Sequence, residues 1–332
     1  MTVHPWIANA EKVLEGGSLS REEAVALAVE TGSEELPDLL ALAWRVRRKF
    51  SRGFHACSIL NAKCGVCGEN CRFCAQSARH GAAIETYPLL PPEKALQAAR
   101  EIHVQGVRTF GMVTSGRGWQ VPDREFRQIL DTLDLIRREL PDMTLCVSLG
   151  ILSEECVSLL ARHHVNRYNM NLQTSPARYH DLIATTHTIE EKIATIKLMT
   201  RYGIRNCTGG IFGLGESWAD RVEMALTIRE LEVDCVTMNI LLPIPGTPLE
   251  NIPIMSPAEA AKIFALYRLL LPDRTLRFCA GRETVMKDFQ GLMMLAGADG
   301  LMTGGYLTTR GRAIADDRKF MAALAEFDRT EV

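Results

Sequence analysis

From residue 55 onward the chain alternates short apolar segments with longer amphipathic ones, and few architectures accept that rhythm. Strand candidates fall at 56–60, 107–113, 144–150, 167–172, 204–211, 235–241, 275–280 and 299–303. Helix candidates lie between them at 92–105, 123–139, 153–163, 189–202, 217–231 and 256–270. Short strands spaced by helices over about 250 residues predict a parallel α/β architecture, most simply a closed TIM-type (β/α)8 barrel. A doubly wound open sheet shares the rhythm, because strand order is not written in the sequence. Residues 1–50 are predicted to form an N-terminal helical extension. In it Ser18-Leu19-Ser20-Arg21-Glu22-Glu23 supplies capping and first-turn residues. Farther on, Leu39, Leu40, Leu42 and Ala43 lead into Arg45, Arg47, Arg48 and Lys49, cations suited to a helix C-terminus and read as a solvated face. No long linker interrupts the remainder, so 51–320 is assigned to the barrel and 321–332 to a C-terminal tail.

A barrel gathers its chemistry in the loops that follow its strands, and the first of those loops carries the densest chemistry here. Within Cys64-Gly65-Val66-Cys67-Gly68-Glu69-Asn70-Cys71-Arg72-Phe73-Cys74, the cysteines Cys67, Cys71 and Cys74 form C-x3-C-x2-C. These thiolates meet at one inorganic centre only if the backbone loops around it, which Gly65 and Gly68 ease. Structural zinc usually takes a fourth ligand from a Cys/His pair a dozen or more residues on. His80 is too near for that, and the next cysteine is Cys146. Disulfides are disfavoured in a reducing compartment. A four-iron cluster on three thiolates remains, and it leaves one iron open to bind and reduce a ligand. Cys64, three residues earlier, reads as a bystander.

Composition narrows the setting. The 332 residues are 47% hydrophobic and 23% charged, as in soluble globular proteins, and a formal charge of −2 leaves no basic footprint for nucleic acid. No apolar run approaches the ~20 residues of a membrane span. The N-terminal Met-Thr-Val-His-Pro-Trp-Ile lacks the basic flank and apolar block of a secretory signal. Ten cysteines without such a signal point to a reducing, cytoplasmic setting and to metal.

Polar residues recur at strand ends. Asn169, Asn171 and Gln173 alternate along one predicted strand and so share a face. Buried there they need partners such as ribose hydroxyls or a polar substrate; on a surface strand edge they need none. Asn239, Arg277 and Arg282 repeat the theme, with a structural carboxylate pair an equal reading for Arg282. Residues 204–216 are glycine-rich, through Gly209, Gly210, Gly213 and Gly215, which allows close approach of a ligand or of backbone. A dinucleotide fingerprint is absent from that stretch. Cys57, Cys146, Cys207 and Cys279 lie in four different strand candidates. Core packing accounts for them, and equally a barrel brings such residues to one interior point as a second iron–sulfur site. Core packing is preferred for Cys156 and Cys235.

The three-cysteine spacing, with Phe73 before the last cysteine, resembles the signature of the radical S-adenosylmethionine (SAM) superfamily, in which SAM chelates the open iron of a [4Fe-4S] cluster. Gly209, Ile211, Gly213 and Glu216 are similar to the stretch that flanks SAM's adenine there. More closely, the chain resembles the biotin synthase family. The resemblance is carried by 61–79 with its Cys-Arg-Phe-Cys-Ala-Gln-Ser-Ala run, by 169–176, 207–216 and 246–249, and by Leu276-Arg-Phe-Cys-Ala-Gly-Arg-Glu283. It implies a homodimeric (β/α)8 barrel that inserts sulfur into dethiobiotin, fed by an electron donor such as flavodoxin or ferredoxin. It also implies that Asn171 and Asn239 hold the ureido ring and that Asn171 and Gln173 lie near the SAM ribose, although Gln173 is an aspartate in the best-known members. Cys146, Cys207 and Arg277 match three of the four ligands of the family's auxiliary cluster. The fourth aligns with Gly111, which cannot bind iron. The expectation is therefore a rearranged auxiliary cluster, [2Fe-2S] or larger, on Cys57, Cys146 and Cys207, completed by Cys279 or Arg277. The alternatives are a related radical SAM enzyme that rearranges or cleaves a small molecule without donating sulfur, and a non-catalytic metal-binding scaffold.

Overall fold

The computed structural model describes residues 3–51, 53–309 and 311–328. The strands of its main sheet are β1 (His55–Lys63), β2 (Thr109–Thr114), β3 (Thr144–Ser148), β4 (Arg167–Asn169), β5 (Arg205–Cys207), β6 (Gly210–Phe212), β7 (Cys235–Ile240), β8 (Thr275–Phe278) and β9 (Gly300–Met302). Every neighbouring pair is parallel. The ring closes, with His55 opposite Gly300 and Thr275 opposite Cys235. Because β5 and β6 both pair with β7, they share one position, and the barrel has eight staves. Closure excludes the open doubly wound sheet.

Two strands differ from the sequence reading. The segment 204–211 breaks at Thr208–Gly209, where backbone presses on backbone: a Cβ on Gly209 would lie 1.8 Å from the Thr237 carbonyl oxygen of β7. The segment 167–172 stops at Asn169. Beyond it, Gln173 takes φ +76° and reaches Gly210 through an isolated bridge.

The helices of six residues or more are α1 (Pro5–Ala10), α2 (Arg21–Glu30), α3 (Leu36–Phe50), α4 (Pro92–Val104), α5 (Arg124–Glu139), α6 (Glu154–Arg162), α7 (Ile189–Arg201), α8 (Trp218–Glu230), α9 (Pro257–Leu270) and α10 (Ile314–Asp328). Their starts are chemically marked. Reciprocal caps join Ser20 to Glu23, Thr188 to Glu191 and Ser217 to Asp220, satisfying amides that have no partner inside the helix. Helix α5 buries Phe126, Ile129, Leu130, Leu133 and Ile136 at three- and four-residue spacing against the barrel.

The extension packs on the barrel's outer ring, α3 against α9 and α2 against α8. One of its cations is not solvated. Arg47 is buried and lies 3.4 Å from Asp299 Oδ1, while Arg268 of α9 pairs with the other carboxylate oxygen. The barrel floor supplies this acid just before β9, a partner invisible in the local sequence. The boundary drawn at residue 320 falls inside α10, which is tied down by a buried pair 2.7 Å long between Arg282 and Asp317. Arg282 is thus engaged structurally. Residues 329–332 of the expected tail lie outside the described residues.

Candidate active site

The loop after β1 leaves the C-terminal mouth of the barrel and folds back on itself. The Cys67 amide donates to Gln76 O at 3.0 Å, the Ala78 amide to Cys67 O at 2.8 Å, and the Cys74 amide to Cys71 O at 3.0 Å. Gly65, at φ +79°, has no room for a side chain, since a Cβ would meet Thr86 Cγ2 at 2.4 Å. The loop is pinned from across the mouth. Asn70 Nδ2 donates to Thr185 Oγ1 at 2.7 Å, and His187 bridges Glu69 at 2.6 Å to Tyr179 at 2.8 Å. Cys67, Cys71 and Cys74 are all free and half-buried, while Cys64 is buried and pairs its backbone with Tyr87.

Beneath this loop lies a cavity of about 260 Å³. Cys57, Cys146, Cys207 and Cys279 all line it, from β1, β3, β5 and the end of β8. Gly111 lines it too, in register with Cys146 and with Ile59 on its other side. A Cβ there would sit 3.1 Å from Ile59 Cγ2 and 3.9 Å from Cys146 Cβ, so the glycine accommodates the close approach of Ile59 from β1. Cys235 is fully buried, as expected of a core residue, and does not line the cavity. It stands opposite Cys207 in the sheet, with the two thiols adjacent. That contact, followed by burial, pushes the Cys207 thiol up. Burial pushes Cys57 and Cys279 up, and Cys146 up to about 11. Arg277 opposes the shift at each of them.

Between loop and floor stand the amides. Asn169, Asn171, Gln173 and Asn239 all line the cavity, although the first three do so across a strand end rather than along one strand. Asn171 Oδ1 accepts from the Gly209 amide at 3.1 Å and from the Thr237 hydroxyl at 2.5 Å, while its Nδ2 has no hydrogen-bond partner among the described residues. Asn239 donates to Gly210 O at 2.9 Å and accepts from the Ala280 amide and the Tyr306 hydroxyl, both at 3.1 Å. Ile211 and Phe73 line the cavity, whereas Gly209, Gly213 and Glu216 stand behind its wall. Glu216 accepts from the Gly213 and Leu214 amides at 2.9 and 2.7 Å and pairs with Arg221, fixing the turn that carries Ile211.

Lys192 went unnoticed in the sequence. It is buried in the cavity wall, with Nζ 3.0 Å from Asn171 O and 5.5 Å from the Tyr179 ring centroid. Burial draws its pKa down, and Cys71 and Cys74 oppose that. Its signal was a lysine on the apolar Ile189–Ile196–Met199 face of α7.

The residues present fit a cluster, SAM and a polar ligand. Among the described residues no three His, Cys, Asp or Glu side chains gather as they would around a single metal ion. A four-iron cube holds its three thiolates farther apart, each on its own iron. Burial pushes the Cys71 thiol up to about 12 and Cys74 up to about 11, so iron must displace protons there. Gln173 Oε1 and the Nε atoms of Arg167 and Arg277 are buried without a hydrogen-bond partner, as expected of groups awaiting a ligand.

Comparison with known proteins places the chain. Residues 63–228 match the radical SAM superfamily, and residues 237–325 match the biotin and thiamin synthesis associated domain. The biotin synthase of Pelodictyon phaeoclathratiforme (strain DSM 5477 / BU-1) is 50% identical over 334 residues, covering 98% of this chain and 99% of that protein. That of Chlorobium phaeovibrioides (strain DSM 265 / 1930) is 51% identical over 328 residues, covering 98% of each. Among solved structures, methylornithine synthase superposes with a TM-score of 0.81 over 96% of this chain and 98% of its own, at 18% identity. The FeFe-hydrogenase maturase HydG of Carboxydothermus hydrogenoformans superposes with a TM-score of 0.80 over 96% of this chain and 78% of its own, also at 18% identity. These two likenesses speak to fold alone.

Proposed function

The chain belongs to the biotin synthase family, and on that premise we propose that its barrel makes biotin from dethiobiotin, with two iron–sulfur centres at two depths of one cavity. Cys67, Cys71 and Cys74 hold the [4Fe-4S] cluster at the mouth. Cys57, Cys146 and Cys207 hold the auxiliary one, completed by Cys279 or Arg277. When bound, the upper cluster and SAM supply the one-electron chemistry that removes hydrogen from unactivated C–H bonds, and the auxiliary cluster supplies sulfur. The carrying observation is the second set of thiols, Cys57, Cys146, Cys207 and Cys279, on the wall of the cavity that lies beneath the cysteine loop.

The chain's own residues bind, orient and exclude water. Asn171 offers its unused Nδ2 to the ureido carbonyl, and Asn239, held by three partners, keeps a fixed face toward the same ring. Gln173 Oε1 accepts from a SAM ribose hydroxyl. Lys192 presents a cation to SAM's carboxylate, and such a charge-assisted contact is stronger in a dry cavity than in water. Phe73, Met112, Met170, Ile211 and Met302 close the wall against water. We further propose that the protein works as a cytoplasmic homodimer and takes electrons from a flavodoxin or ferredoxin. In support of the setting, no described helix is long and apolar enough to cross a membrane.

The test is iron and sulfide content, with Mössbauer spectra, of anaerobically reconstituted protein carrying Cys67→Ala, Cys71→Ala and Cys74→Ala. A defined cluster should survive, and adding Cys57→Ala should remove most of its iron. If no iron remains in the triple variant, the auxiliary site does not exist and sulfur donation falls. Unchanged iron after Cys57→Ala would sink that ligand assignment alone.

A further inference from the structure

The barrel has a second opening, at its N-terminal mouth, where a cavity of about 760 Å³ lies on the side away from the cysteine loop. Five arginines stand on its wall: Arg108, Arg167, Arg205, Arg274 and Arg277. Three carboxylates share that wall, and each is engaged. Asp299 is held by Arg47 and Arg268, Asp273 by Arg274 at 3.4 Å, and Asp234 accepts the Asn206 amide at 3.0 Å. Arg108 is paired with Asp142 at 2.8 Å. Arg167, Arg205 and Arg277 are left with no carboxylate partner among the described residues.

These three form a graded series, with Arg205 exposed at the start of β5, Arg167 half-buried beside it in the sheet, and Arg277 4% exposed. Arg167 and Arg277 also line the upper cavity, so guanidinium groups stand between the two spaces where most barrels have a packed apolar layer. Compensation of the deep thiols would explain Arg167 and Arg277. It does not explain Arg205, which faces the outside.

We propose that this lower mouth is an anion inlet through which hydrosulfide reaches the deep thiol site and restores the sulfur given up in turnover. The inference rests on the sulfur-donor reading above. Arg205 and Arg167, with Arg277 behind them at the deep site, concentrate a small anion and repel cations, as clefts of one sign do. Hydrosulfide bound at iron as sulfide releases one proton, which leaves through the same mouth, and no electron moves in that step. A lower inlet also leaves the upper mouth to SAM and substrate.

The experiment uses the full chain carrying Cys67→Ala, Cys71→Ala and Cys74→Ala, loaded anaerobically with ferrous iron alone, and follows uptake of 35S-hydrosulfide per deep-site iron with time. Arg205→Glu should slow uptake about 3- to 10-fold with the final iron content unchanged. Arg205→Lys should stay near the parent rate. At an ionic strength of about 1 M, where the screening length shrinks to ~3 Å, the difference should largely vanish. Equal rates in Arg205→Glu and parent overturn the inlet while leaving the cluster in place. A parent that holds no iron overturns the sulfur-donor reading and the inlet with it. Should Arg205→Glu fail to fold, the neutral Arg205→Gln decides by the same comparison, with a smaller expected slowing.

Discussion

Lys192 sits where a lysine is costly, on the buried face of α7, and among the described residues its one hydrogen bond goes to Asn171 O at 3.0 Å. Burying a cation without an anion is unfavourable, so the position makes sense once a carboxylate enters beside the cysteine loop. Hydrogen bonds to charged groups are worth about 1.5–3 kcal/mol. Lys192→Met keeps the volume and removes the charge, and it should weaken SAM binding by about 10- to 100-fold. Iron at the three-cysteine loop should not change, because Lys192 ligates nothing. Lys192→Arg should recover part of the affinity. Equilibrium dialysis with labelled SAM checks this, and an unaltered dissociation constant in Lys192→Met would mean that the charge serves only Asn171 and the Tyr179 ring.

At the scale of elements, the break between β5 and β6 organises the ligand-facing wall. The Gly209 amide donates to Asn171 Oδ1 at 3.1 Å, so the crossing on Thr237 also sets the amide that faces the cavity. Gly209→Ala forces a Cβ into backbone 1.8 Å away, with no flexible side chain to give way. The expected cost is about 3 kcal/mol or more, at the upper end of overpacking. It should appear as a lower urea midpoint with an unchanged slope. A midpoint equal to the parent's would refute the close approach. This crossing marks the limit of what the sequence could say. Strands were legible because each is a short apolar run, and helices because they are longer amphipathic segments, with Ser20 marking one start. The break at Gly209, the stop at Asn169, the contact of Cys235 with Cys207 and the burial of Arg47 all depend on distant backbone or side chains. No local pattern encodes a partner such as Asp299, which lies more than two hundred residues from Arg47. The candidate ligands showed a similar split. Thiols and amides stood out by residue type and spacing, whereas Lys192 was hidden in an otherwise ordinary amphipathic helix.

For the whole molecule, the question is what joins the helical extension to the barrel. Beyond the apolar contact of α3 with α9, one carboxylate links three parts of the chain. Asp299 meets Arg47 of α3 and Arg268 of α9, its Oδ2 accepts the Leu276 amide of β8 at 2.9 Å, and its carbonyl accepts the His55 amide of β1 at 2.8 Å. All of these meet at the barrel floor, near the point where β1 and β9 close the ring. Asp299→Asn keeps the shape and removes the charged carboxylate that stands between the two buried guanidiniums. Breaking a buried pair from one side costs about 3–5 kcal/mol, because the surviving charge is uncompensated. Arg47→Met should cost less, since Arg268 continues to neutralise the acid. If extension and barrel form one cooperative unit, Asp299→Asn lowers the urea midpoint in a single transition reported alike by far-ultraviolet circular dichroism and by tryptophan fluorescence, to which Trp44 of the extension and Trp119 and Trp218 of the barrel contribute. Two separated transitions would mean that the acid fastens a cap which can leave on its own. A cost below about 1 kcal/mol would place the cohesion of cap and barrel in the apolar contact of α3 with α9 instead.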